Sequence, residues 1–264
     1  MSEQTNYTPI TGSGRGITIA DKKFTSFSVE EIRDLLEKYR WIAFTENPIT
    51  KEDVSDHLSK FGRLTDNDRR KNGVLSIDAS KGDEGEVLLG KGFLPLHQDG
   101  SLMGTNVDLV GIFCISHENV TEGGDTFIVD VEGAVDDIPN EYLDILRERG
   151  IEGKPLDSYY MKSGSEWHAI PAFVEVNGKE YLSVGFPSPE SEKPSWLLRI
   201  PGISDDKFEE IFSCLHKIVM DDKYCYHHSW TDGDLLLFQN HKTLHGRDAF
   251  KGERALANIQ VLAD

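Results

Sequence analysis

A chain of 264 residues, 38% hydrophobic and 28% charged, is long enough to bury a core of its own and fits one large globular domain. Its 46 acidic against 28 basic side chains give a net charge of −18, which keeps a chain soluble, repels phosphate backbones and argues against nucleic acid as a partner. No run of eighteen apolar residues is present, which excludes a membrane-spanning helix, and the first residues lack the basic and apolar regions of a secretory signal. Three cysteines, Cys114, Cys214 and Cys225, are odd in number and far apart. They read as thiols of a reducing compartment, so the expected location is cytoplasmic.

In chain order, Ser28 and Glu31 form a capping box for a helix carrying Val29, Ile32, Leu35, Leu36 and Tyr39 at helical spacing. Trp41 to Thr45 reads as a short buried strand. A second helix opens at Thr50, with Val54, Leu58 and Phe61 on one face and Gly62 as its stop. Residues 66–86 turn polar and are expected to be a long loop. Beyond them strands dominate: Leu109 to Ile115, Thr126 to Val129, Ala169 to Val174 and Tyr181 to Phe186. Helices are expected from Pro139 to Gly150 and from Ser204 through Ile218. Tyr224 to Trp230 and Asp234 to Phe238, joined by an Asp-Gly turn, are predicted to form a hairpin, and Ala257 to Leu262 a last strand. Many short strands with a few covering helices predict a mainly β fold, a jelly roll or double-stranded β-helix, in a single domain over 1–264.

One constellation carries chemistry. His97 and Asp99 are two residues apart after the apolar run Phe93-Leu-Pro-Leu96, so their side chains leave the same face of an extended segment, and Gly100 follows. His245 ends a second apolar stretch and is followed by Gly246. Two imidazoles and a carboxylate on one side of a metal suit Fe(II) oxygen chemistry, and the same residue types also serve catalytic zinc. The other histidines fit less well: His57, His117, His168 and His216 read as solvated or capping, and His227 and His228 as packing. His241 is the nearest rival.

A second set of residues bears on that choice. Gly123-Gly124-Asp125-Thr126 precedes a strand, and Arg254 lies nine residues beyond His245. With the His-x-Asp and distal histidine, this pattern resembles the Fe(II)/2-oxoglutarate-dependent oxygenases of the taurine dioxygenase type. The resemblance implies iron on His97, Asp99 and His245, and the distal carboxylate of 2-oxoglutarate on Thr126 and Arg254. It also implies O2 as oxidant and a small-molecule substrate. Arginine's planar fork beside a hydroxyl suits a carboxylate. Within that superfamily the pattern from about residue 86 to 250 is similar to carbapenem synthase and related β-lactam-biosynthetic oxygenases. The quoted runs include Pro194-Ser-Trp-Leu-Leu-Arg199 and Tyr226-His-His-Ser-Trp230. Isonitrile-forming and desaturating members share the metal motif and Leu244 to Phe250.

The resemblance implies hydroxylation, desaturation, ring formation or epimerisation. A carboxylate at Asp99 fills the position that halogenating relatives leave for chloride. Tyr160 aligns with a hydrogen-donating tyrosine of carbapenem synthase, or else packs in a strand. Trp196 either walls a substrate pocket or belongs to the core, and Arg247 either binds a substrate carboxylate or braces the fold. The chain departs from the pattern in its short interval from His245 to Arg254. It also has Asn258 where a further arginine often stands, which argues against a taurine-like sulfonate. A metallohydrolase or a non-catalytic cupin-like binding protein would leave Thr126 and Arg254, or the triad, without purpose. A homo-oligomer is left open.

Overall fold

The computed structural model of the chain describes residues 7–67, 69–79, 90–156, 166–190, 192 and 194–263. Among them, ten strands build two sheets. In chain order they are β1 (Ile17–Ile19), β2 (Trp41–Phe44), β3 (Val74–Asp78), β4 (Leu94–His97), β5 (Val107–Ser116), β6 (Thr126–Asp130), β7 (Cys225–His228), β8 (Leu235–Gln239), β9 (Thr243–Arg247) and β10 (Ala255–Leu262). The larger sheet has the order β1-β2-β8-β5-β10-β3 and the smaller β7-β6-β9-β4. All neighbours are antiparallel except β1 and β2.

Strand periodicity decides which side chains meet. Along β10, Ala257, Ile259 and Val261 turn outward and pack with Ile32 and Leu36 of helix α1 (Val29–Tyr39) and with Val54 and Leu58 of α2 (Lys51–Leu58). Leu256, on the opposite face, packs with Ile128 of β6 and with Trp230 in a core between the two sheets. Outside the smaller sheet, Phe127, Val129 and Leu244 meet Leu143 and Leu146 of α3 (Asn140–Arg149) and Ile211, Phe212 and Leu215 of α4 (Asp205–Val219). The protein is therefore mainly β with helices over both outer faces. Each of these fully buried aliphatic side chains contributes about 1.5–3 kcal/mol relative to exposure.

The expected capping box at Ser28 forms, and the helix that opens at Thr50 has one as well. Ser28 accepts from Glu31 N–H while Glu31 accepts from Ser28 N–H, and Thr50 and Asp53 repeat the exchange. The helices expected from Pro139 and Ser204 are present. Four expectations need correction. Part of the 66–86 stretch is the edge strand β3, held because Leu75 is buried and β3 pairs with β10; residues 80–86 lie outside the described residues. The strand expected over 169–174 divides at Pro171 into His168–Ile170 and Phe173–Val176, since proline supplies no N–H to a ladder. Phe173–Val176 then pairs with Lys179–Leu182, shorter than the strand read from Tyr181 to Phe186. Lastly, β7 and β8 are not a hairpin. Both edges of β8 are occupied by β2 and β5, while β7 pairs with β6. The Asp-Gly turn between them instead crosses from one sheet to the other, closed by the Asp234 carboxylate, which accepts from Thr231 N–H at 2.9 Å.

Candidate active site

Antiparallel pairing places directly opposed residues on one face of a sheet. In the smaller sheet His245 of β9 opposes His97 of β4, and one step along Arg247 opposes Thr126 of β6. Ile128, opposite His245, lies in the inter-sheet core, so all four of these residues face inward. The register between β9 and β4 shifts at Gly246. A Cβ at that glycine would stand 2.7 Å from Leu94 O and 2.1 Å from the Phe127 ring, so only glycine lets β9 come this close. Gly100, at φ 84°, turns the chain directly after Asp99.

The ligand atoms of His97, Asp99 and His245 all lie within 4.8 Å of one another. Asp99 Oδ1 is 3.4 Å from His97 Nε2 and 3.6 Å from His245 Nε2. His97 Nδ1 sits 2.9 Å from Pro95 O, which can only accept, so Nδ1 carries a proton and Nε2 is the nitrogen turned toward Asp99. Burial, reinforced by the neighbouring His97, pulls His245 down to about 3 and keeps it neutral. Burial works against ionising Asp99, but the facing imidazoles and the Asn258 amide outweigh it and hold the carboxyl well below the usual range. A neutral His245 and an ionised Asp99 are in the protonation states that bind a divalent metal. The donor set fits iron and zinc alike.

Two cavities meet at this group. One is lined by His97, Asp99 and His245 together with Thr126, Arg247 and Arg254. Burial draws Arg254 down to about 10; burial and the nearness of Arg254 draw Arg247 down to about 9. Arg254 is 3% exposed and its Nη1 donates to Gly124 O, yet its Nε has no hydrogen-bond partner among the described residues. A buried cationic donor without an acceptor calls for an anion. Thr126 Oγ1 accepts from Trp230 Nε1 at 3.0 Å. Because indole only donates, the Thr126 proton is left for another acceptor. The cavity thus fits one end of a dicarboxylate beside a metal. The second cavity also contains His97, Asp99 and Asn258, and is walled by Thr65, Asn67, Arg70, Ser101 and Leu102.

The structure brings together six of the eight residues singled out in the sequence. Arg247 lies in the first cavity, where its Nη2 donates to Gly92 O at 2.6 Å. Trp196 stands behind the site: its ring centroid is 5.7 Å from that of His97 and its indole N–H donates to Phe186 O. Tyr160 lies outside the described residues. Sequence reading missed Asn240, whose side chain accepts from Asp99 N–H at 2.9 Å and donates to Asp99 O at 3.0 Å. It also missed Trp230, Gln260 and Arg70. Of these only Gln260 left a signal, a polar side chain interrupting an otherwise apolar strand; Asn240 stands in the turn between β8 and β9, and Trp230 in the segment after β7. Among the set-aside histidines, His57 is buried edge-on against Phe24, not solvated, and His228 is buried beside Asp234 while His227 is exposed.

Known proteins share both sequence and fold with this chain. A tyrosine isonitrile desaturase of Pseudomonas aeruginosa is 22% identical over 198 residues, covering 72% of this chain and 66% of that one, slightly under two thirds of its length. An (S)-phenoxypropionate/alpha-ketoglutarate-dioxygenase of Sphingobium herbicidovorans is 24% identical over 231 residues, covering 79% and 76%. The crystal structure of PvcB from Pseudomonas aeruginosa superimposes with a TM-score of 0.72 at 18% identity, covering 100% of this chain and 90% of that one. PvcB is described as an Fe, alpha-ketoglutarate dependent oxygenase from an isonitrile synthetic pathway. The profile of the taurine catabolism dioxygenase TauD, TfdA family matches residues 4–260, and the chain belongs to that family.

Proposed function

We propose that the inward-facing group is the active site of an oxygenase that oxidises a small molecule. The chain is an Fe(II)/2-oxoglutarate-dependent dioxygenase with O2 as the second co-substrate. His97, Asp99 and His245 hold the iron; Thr126 and Arg254 hold the far carboxylate of 2-oxoglutarate. Iron held there supplies the redox chemistry that converts 2-oxoglutarate and O2 to succinate and CO2 while the substrate is oxidised. The protein's own part is positioning. Arg254 Nε and the Thr126 hydroxyl provide donors to the first cavity, and Arg247 adds positive charge from across the strand pair. Desolvation strengthens each of these contacts. Substrate enters from the second cavity, on the other side of Asp99.

One observation carries the reading: the register that opposes His97 to His245 also opposes Thr126 to Arg247, so metal and carboxylate sites share one wall. A zinc hydrolase has no use for the buried, half-satisfied Arg254. The two sheets are the halves of a double-stranded β-helix, and 1–264 is one oxygenase domain, working in the cytoplasm on a natural-product intermediate. Oxidation of an isonitrile or amino-acid substrate is a second reading, favoured by the match to the tyrosine isonitrile desaturase. Purified protein incubated in air with Fe(II) and 2-oxoglutarate is expected to release succinate, with or without a substrate to couple. Absence of succinate across a panel of amino acids, isonitriles and β-lactams, together with retained zinc, would exclude the oxygenase reading.

A further inference from the structure

The two oxygens of Asp99 are treated differently. Oδ1 faces both imidazoles, at 3.4 and 3.6 Å. Oδ2 accepts from Asn258 Nδ2 at 2.9 Å and from Gln260 Nε2 at 2.8 Å. Both amides stand on the inward face of β10, in the opposite sheet from the histidines. An amide can present either its N–H2 or its oxygen, and the partner on its other end decides which. For Asn258 that partner is Arg70. Its Nη2 donates to Asn258 Oδ1 at 2.9 Å, and its Nη1 donates to Asn258 O at 2.9 Å and to Gly73 O at 3.3 Å. A guanidinium has donors only, so Arg70 forces the Asn258 oxygen toward itself and the N–H2 toward Asp99.

We infer that Arg70, Asn258 and Gln260 are positioning residues that tie up Asp99 Oδ2 and present Oδ1 alone to the metal. The inference rests on the metal assignment made above. With Oδ2 engaged, Asp99 cannot chelate through both oxygens, and room is kept for a chelating co-substrate and O2. Arg70 also walls the second cavity, so the residue that orients the metal's carboxylate borders the space assigned to the substrate.

Titration of the metal-free full chain with Co(II), followed by visible absorption, tests this. Outer partners of metal ligands typically change metal affinity about 10–100-fold. Asn258→Leu and Gln260→Met are each expected to weaken Co(II) binding about tenfold and to alter the Co(II) spectrum, because Asp99 becomes free to chelate or rotate. Thermal midpoints of the metal-free variants establish that each is folded, and the two variants serve as independent probes. Arg70→Met is expected to weaken binding in the wild-type background and to add nothing in the Asn258→Leu background, since it acts through that amide. Wild-type Co(II) affinity and spectrum in both amide variants would overturn the proposal, and full additivity of Arg70→Met would remove Arg70 from it. His97→Ala separates the levels: unchanged Co(II) binding in that variant would mean that the metal assignment itself is wrong.

Discussion

The wall of the first cavity built by β4, β6 and β9 carries groups that charge, ligate or donate to an anion: His97, Thr126, His245 and Arg247. On the opposite sheet, β10 carries Asn258 and Gln260, which orient the Asp99 carboxylate, and Arg254 just before the strand is the anion-binding group on this side. The first kind of residue is recognisable from its chemistry alone. The second acquires its role only from the register that brings it across the cavity, and the contrast shows where function concentrates on a sandwich of two sheets: Arg254 apart, reactive groups on one layer and their alignment on the other.

Substitutions on the reactive wall should have the largest effects. His245→Ala is expected to abolish both metal binding and succinate formation, measured by metal analysis and product assay; a fully active variant would move the site elsewhere. Arg254→Leu, across the cavity and just before β10, removes a charged partner from a buried anion. At about 2–5 kcal/mol for such a loss, the KM for 2-oxoglutarate should rise by about thirty-fold or more. Gly246→Ala tests the close approach of β9 and should cost about 1–3 kcal/mol in a denaturant titration, since Leu94 O is backbone and cannot give way. Trp230→Phe keeps the ring but frees the Thr126 hydroxyl to rotate. A lost hydrogen bond of about 1 kcal/mol predicts roughly a five-fold rise in that KM with kcat little changed, and an unchanged KM would show that the indole only packs.

The smallest effect belongs to the outer layer. Burial lowers the pKa of His57, with nearby Lys60 acting in the same sense. A folded-state pKa below the unfolded value means that the unfolded chain takes up the proton first. Stability should therefore fall as pH drops below about 6.5, and a His57→Gln variant should show a shallower fall in thermal midpoint over that window.

Much of the fold was legible. Capping residues announced both N-terminal helices, and apolar runs marked the central strands because those strands are buried on both faces. The mistaken hairpin at Thr231 to Asp234 shows what local pattern omits, since a turn motif does not say whether its two strands pair or part. The proposed metal ligands were singled out by residue type and spacing, and the proposed co-substrate residues by the family pattern. Asn240, Trp230 and Gln260 were not, because a single amide or indole in a turn or a strand has no distinctive spacing, and Arg70 sits in a polar stretch that reads only as a long loop.

The place of β10 has a consequence for how the chain comes off the ribosome. It is the last of the ten strands, yet it lies between β5 and β3, inside the larger sheet. Until it emerges, β5 keeps an unpaired edge, the feature by which nascent strands stick to other chains. Arg254, Asn258 and Gln260 arrive in the same few residues. A growing chain can thus own both histidines and Asp99 before it owns the amides that hold Asp99, and a metal or co-substrate would first find a finished site only once β10 has emerged.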